Sequence, residues 1–202
     1  LTATGGGYSR WGELAVTRWR EDVTLDDWGP AIFLKDVRSG EIWSPGIRSA
    51  DTAKQSHEVF FAEDRAEFIC HDDTLTTVMD VLVSGEDDGE VRRITLTNTG
   101  RKPRDIELTS YYELVLTAPA TDNAHPAFAK MFVQTEYLPE FGALVATRRK
   151  RDPDESEIWA AHFAVVEGAI AADPQYESDR MKFLGRGNAP RSAAAIFGDE
   201  PL

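Results

Sequence analysis

The sequence predicts an all-β fold of antiparallel strands, a sandwich or a barrel, and three observations carry the prediction. Apolar residues recur at a period of two, the mark of a half-buried strand. Turn-forming clusters interrupt the chain at short, regular intervals. No stretch sustains an amphipathic helical pattern for three turns.

The clearest strand is "DIELTSYYELVL", residues 105–116. One face takes Ile106, Leu108, Ser110, Tyr112, Leu114 and Leu116, the expected buried set, and the other takes Glu107, Thr109, Tyr111, Glu113 and Val115. "EVRRITLTN", residues 90–98, is of the same kind, and "TGRKPR" between them offers Gly100 and Pro103 for a turn. The two are expected to form a hairpin. The same logic gives strands over 13–20, 31–37, 58–63, 66–71, 75–83, 130–137, 142–149 and 158–166. "RSGE", "SPG", "GEDDGE" and "LPEFG" supply turns among them. The Ala-, Gly- and Pro-rich stretch from residue 169 onward reads as loop or frayed edge. One β domain over 1–187 is expected, with 188–202 an edge segment leading to a missing remainder. The absence of an initiator Met and the abrupt end suggest a piece of a longer protein.

Composition narrows the partners. The 202 residues carry 35 acids against 22 bases, a formal net charge of −13. A field of that sign repels phosphate backbones, so nucleic acid is excluded as a partner, whereas neutral sugars are unaffected. With 42 % hydrophobic residues the chain can bury a core, and no apolar run reaches the length of a membrane helix, so no direct membrane contact is expected. The single cysteine, Cys70, precludes an internal disulfide and fits a reducing compartment.

Candidate chemistry is sparse. Five tryptophans are many for this length. Packing between sheets is their ordinary role, but an indole also stacks on sugar C–H groups while its N–H stays wet. Trp11 and Trp28 lie in loop-like, Gly-flanked sequence and are the candidates for exposure. The four histidines do not fall at metal-ligand spacing, "CHDD" at Cys70–Asp73 reads as a solvated corner, and "GEDDGE" lacks a calcium-loop pattern. No metal or cofactor is expected. Paired carboxylates could serve glycoside hydrolysis, but with so many acids chance pairing is the default. Gly5–Gly7 lacks the Lys-Ser/Thr of a phosphate loop, and there is no G-x-S-x-G. In "TDNAHPAFAKMFVQTEY", Pro126 disfavours helix at His125. That places His125 in a loop leading into a strand, as a turn or rim residue rather than a catalytic base.

The segments "GGGYSRWGELAVTRWRED", "WGPAIFLKDVRSGEIWSPG", "ELTSYYELVL", "HPAFAKMFVQTEY" and "ESDRMKFLGRG", in order from Gly5 to Gly187, resemble the N-terminal β domain of glycoside hydrolase family 94. Within that family they look most like the phosphorylase-like portion of bacterial cyclic β-1,2-glucan synthases. The resemblance implies a galactose-mutarotase-like supersandwich of two large antiparallel sheets, with its last strands beyond this chain. It also implies that the catalytic acid and phosphate site reside in an (α/α) barrel absent here, so no catalytic residue is assigned. The segment 122–130 would approach that barrel on its acceptor-sugar side. This makes Asp122, Asn123, His125, Phe128 and Lys130 candidate carbohydrate contacts beside Trp11 and Trp28. Related phosphorylases read Asn-Phe-Gln-Arg where this chain has Ala127, Phe128, Ala129 and Lys130, so the aromatic and the base are kept and both amides are lost.

The function expected from the resemblance is a non-catalytic accessory domain. Its partners would be β-glucan oligosaccharide, the barrel of the same parent chain, and a second copy in a homodimer. The parent would be an inner-membrane protein with this portion on the cytoplasmic side. Two alternatives are an autonomous carbohydrate-binding module using Trp11 or Trp28, and an aldose 1-epimerase pairing His125 or His162 with Glu113.

Overall fold

The computed structural model describes residues 1–20, 29–46 and 55–198. Trp28 lies outside the described residues.

The strands are β1 (Arg10–Trp11), β2 (Leu14–Thr17), β3 (Ala31–Asp36), β4 (Ile42–Trp43), β5 (Gln55–Phe61), β6 (Arg65–Asp72) and β7 (Leu75–Val83). They continue as β8 (Glu90–Asn98), β9 (Ile106–Tyr111), β10 (Leu114–Thr117), β11 (Val133–Leu138), β12 (Ala143–Arg148) and β13 (Trp159–Phe163). Two short helices, α1 (Pro119–Ala124) and α2 (Pro126–Lys130), follow β10, and α3 (Arg180–Leu184) and α4 (Ala194–Phe197) come near the end. All strand pairing among the described residues is antiparallel, in sheets ordered β5-β6-β7-β8, β4-β3-β9, β1-β2-β10 and β11-β12-β13. The all-β expectation holds.

The hairpin between residues 90–98 and 105–116 does not form. β8 pairs with β7, from Leu75↔Asn98 to Val83↔Glu90, whereas β9 pairs with β3, from Ala31↔Tyr111 to Asp36↔Ile106. The intervening "TGRKPR" carries the chain from one sheet to the other. Nor is 105–116 one continuous strand. It breaks at Tyr112–Glu113, and β10 joins β2 with a register shift between Leu114 and Thr117. Leu116 sits at that irregularity with φ of 47°, a left-handed conformation that a branched side chain adopts only under constraint. The break changes which residues are buried: Tyr111, Val115 and Leu116 are inside, while Leu108 is 44 % exposed.

β3 is buried on both faces, and this explains two cores. Ile32 and Leu34 point toward the four-stranded sheet and pack with Trp43, Phe68, Cys70, Leu75, Met79 and Val81. The indole N–H of Trp43 donates to Thr77 Oγ1 (3.0 Å), so the one polar atom of that ring is satisfied inside. Ala31 and Phe33, on the opposite face, pack with Tyr111, Phe183, Leu184, Ala193 and Ile196. The last four come from the segment after residue 169, which is therefore not a frayed edge. Asp179 caps α3 by accepting from the backbone N–H of Met181 and Lys182, and Phe183 stacks on Tyr111 at a centroid distance of 4.8 Å. "CHDD" is also not a solvated corner. Cys70 and Asp72 are buried within β6, and the turn begins only at Asp73, with φ of 45°.

Candidate functional site: the α1–α2 corner

The chain enters the corner from β10 through Ala118, and two prolines shape it. Pro119 and Pro126 stand at the first positions of α1 and α2, where a missing N–H costs nothing. His125 separates the helices with φ −143° and ψ 69°, away from the helical region as Pro126 requires. Its N–H donates to Thr121 O (3.2 Å) and its carbonyl accepts from Ala129 N–H (2.9 Å), so one residue closes α1 and opens α2. Residues 126–130 are thus helical, not extended, and the strand expected from residue 130 starts at Val133.

Beneath the corner lies a buried ion cluster. Arg18, beside β2, donates through Nε to Asp122 Oδ2 (2.8 Å) and through a terminal nitrogen to Asp122 Oδ1, a bidentate fork. The same guanidinium donates to Glu113 Oε2 (3.1 Å) and to Pro126 O (3.3 Å). Glu113 also pairs with Lys130 Nζ (3.1 Å) and Arg180 Nε (2.6 Å), and accepts from the Tyr111 hydroxyl (2.8 Å). Burial opposes the charge on Glu113, but Arg180, Lys130 and Tyr111 outweigh it and hold its carboxyl down at about 2. Lys130 loses by the same crowding. Desolvation, with Arg18 and Arg180 nearby, holds its ammonium below the usual lysine range despite Glu113. Arg148 braces the corner from β12, donating to Val115 O (3.2 Å) and Ala129 O (3.0 Å).

This geometry divides the sequence candidates. Asp122 is turned inward with both oxygens held by Arg18, so it is not presented to solvent. Lys130 is tied to Glu113 and only partly exposed. Asn123, His125 and Phe128 are exposed together on the outside of the corner. Phe128 meets Phe132 edge-to-face at 5.1 Å, and the Arg151 guanidinium lies over both rings, at 5.3 and 4.7 Å. The outer surface is thus aromatic and cationic within an acidic protein. Trp11 is 49 % exposed on β1, at the edge of the sheet β1-β2-β10 from which the chain enters the corner. Among the described residues no group of three His, Cys, Asp or Glu side chains is disposed to hold a metal ion.

The whole chain, residues 1–202, matches the glycosyl hydrolase 94 supersandwich domain. The chain belongs to that family. Its relatives include the cyclic beta-(1,2)-glucan synthase NdvB of Rhizobium meliloti (strain 1021), 39 % identical over 97 % of this chain. Also similar are the N,N'-diacetylchitobiose phosphorylase of Vibrio furnissii, 27 % identical over 68 % of the chain, and the solabiose phosphorylase of Paenibacillus borealis, 26 % identical over 76 %. The match to this chain spans only 7 %, 18 % and 19 % of the length of those proteins, respectively.

The acid–base pairs considered for an epimerase do not assemble in this supersandwich domain. Glu113 is consumed by its cations. His162, on β13, lies 2.8 Å from Ser110 Oγ and 4.7 Å from the Tyr112 ring, and burial pushes its imidazole pKa down. His125 is exposed, and the Glu113 side chain is buried. Sequence reasoning missed two features. Glu113 as the hub of the corner carried no local signal, because its partners come from residues 18, 130 and 180. Trp159, 63 % exposed, sits in a regular strand and lacks the loop context that singled out Trp11.

Proposed function

We propose that this chain is a non-catalytic accessory domain of a multidomain glucan synthase or phosphorylase-like protein. It packs on a catalytic helical barrel of the same parent and shapes the barrel's acceptor-sugar side. The observation that carries this reading is the relation to the Rhizobium meliloti glucan synthase, which extends over nearly all of this chain yet only a small fraction of that protein. The corner supports it. An ion cluster fixes the backbone, and Asn123, His125 and Phe128 are exposed on the outside, as a rim that touches a substrate held elsewhere requires.

In this reading Asp122 and Lys130 are positioning residues. Phe128 supplies an apolar face for a sugar ring, and Asn123 and His125 supply hydrogen-bonding groups at the rim. The ligand is a β-glucan oligosaccharide, and the parent is a homodimer at the inner membrane with this domain on the cytoplasmic side. The test is steady-state turnover of the parent carrying Phe128→Ala. A raised KM for acceptor with kcat little changed supports the rim role. Unchanged kinetics with every acceptor length contradicts it.

A further inference from the structure

The outer face of the sheet β11-β12-β13 is separate from the ion cluster and presents its own chemistry. The register places three cross-strand rows on one face: Gln134–Thr147–Trp159, Glu136–Val145–Ala161 and Leu138–Ala143–Phe163. Trp159 and Phe163 are both more than half exposed. Four residues apart on one strand, their rings stand about 13 Å from each other along the surface. The first two rows enclose a shallow depression of about 360 Å³ lined by Gln134, Thr135, Glu136, Val145, Thr147 and Trp159. One pair beyond the strands, Arg149 N–H donates to Phe132 O (2.8 Å), so the ladder runs on toward the corner that carries Phe128.

The lining selects the ligand class. The exposed indole offers an apolar face with a polar N–H at its edge. Gln134 brings an amide that both donates and accepts, and Glu136 brings an acceptor. The Thr147 hydroxyl donates to Ile158 O (2.8 Å) and keeps lone pairs for an incoming donor. A wholly apolar partner would strand the amide and the carboxylate without hydrogen bonds. An anionic partner would meet Glu136 and a chain of net charge −13. A neutral ring with an apolar C–H face and a rim of hydroxyls satisfies every group.

We infer that this face is a glucan-binding subsite. Trp159 stacks on one sugar ring, Gln134 and Glu136 hold its hydroxyls, and Phe163 meets the oligosaccharide further along. The ligand is a neutral β-linked gluco-oligosaccharide, an assignment that rests on the carbohydrate reading above.

The test is titration of the chain with β-1,2-linked gluco-oligosaccharides, followed by NMR of the indole N–H signals. Trp159→Ala, Trp159→Phe and Met181→Ala are measured beside the unmodified chain. Because Trp159 is exposed, its removal leaves no core void, and the dispersion of the remaining signals verifies folding. The expected result is a saturable shift of the Trp159 signal, with affinity about tenfold weaker in Trp159→Ala. Trp159→Phe should fall between, and Met181→Ala, exposed on α3 outside this sheet, should match the unmodified chain. No saturable shift at Trp159, or undiminished affinity in folded Trp159→Ala, overturns the subsite. Failure here leaves the accessory-domain reading standing, because that reading is decided by turnover of the parent.

Discussion

Arg18 and Asp122, 104 positions apart, meet in a bidentate ion pair with both side chains 4 % exposed. The pair ties the N-terminal strand region to the first helix of the candidate rim. Removing Asp122 leaves the buried Arg18 guanidinium with Glu113 as its counter-charge, a carboxylate already shared with Lys130 and Arg180. Asp122→Ala is therefore expected to destabilise the chain by about 3–5 kcal/mol, measured by urea unfolding. Replacing both, as in Arg18→Met with Asp122→Leu, should cost less than the sum of the single changes.

The Glu113 cluster sets the acid response. Its folded carboxyl titrates near 2, below its ordinary value of 4.5. A depressed carboxylate contributes stability that is present above the unfolded value and lost as pH falls through the folded one. Unfolding midpoints should therefore decline from about pH 4.5 toward pH 2. Glu113→Gln should be less stable at neutral pH and should flatten that decline, and a slope unchanged by the substitution would refute this role.

Cys70 is buried in β6, and burial, with Asp72 nearby, pushes its thiol up to about 11. The thiolate is the reactive form. In the folded chain Cys70 is expected to resist a disulfide reagent at pH 8, and in urea it should react at the rate of a free thiol. A colorimetric thiol assay with and without denaturant reads both.

Phe183 belongs to the segment that composition suggested was loose. It is 5 % exposed and stacked on Tyr111. Phe183→Ala should cost about 3–5 kcal/mol of stability, the ordinary loss for a buried aromatic, whereas exposed Met181→Ala should cost little. Thermal unfolding of the two variants distinguishes a packed segment from an edge.

The sequence made the strands legible because a period of two is imposed locally by one wet and one dry face. β7 is read at its full extent, residues 75–83. What pairs with what was less legible. Gly100 and Pro103 signal a change of direction between β8 and β9, but nothing local says that the next strand joins another sheet. The buried face of 105–116 is hard to read for the same reason: the strand breaks at Tyr112–Glu113, where Arg18, Lys130 and Arg180 gather around Glu113 from distant parts of the sequence. The short helices near the end are held by contacts with Phe33 and Tyr111, not by their own periodicity. At the rim, Pro126 marks His125 as non-helical, whereas nothing local distinguishes Asp122, a candidate sugar contact in the sequence, as the buried partner of Arg18.

The most direct test of the accessory reading compares phosphate-dependent turnover of β-1,2-glucan by this chain alone, by the parent protein, and by the parent bearing Phe128→Ala. The account predicts no turnover by the chain alone, turnover by the parent, and a raised KM for the glucan with preserved kcat in the variant. Turnover by the chain alone would contradict it, because the catalytic groups would then have to lie within these residues.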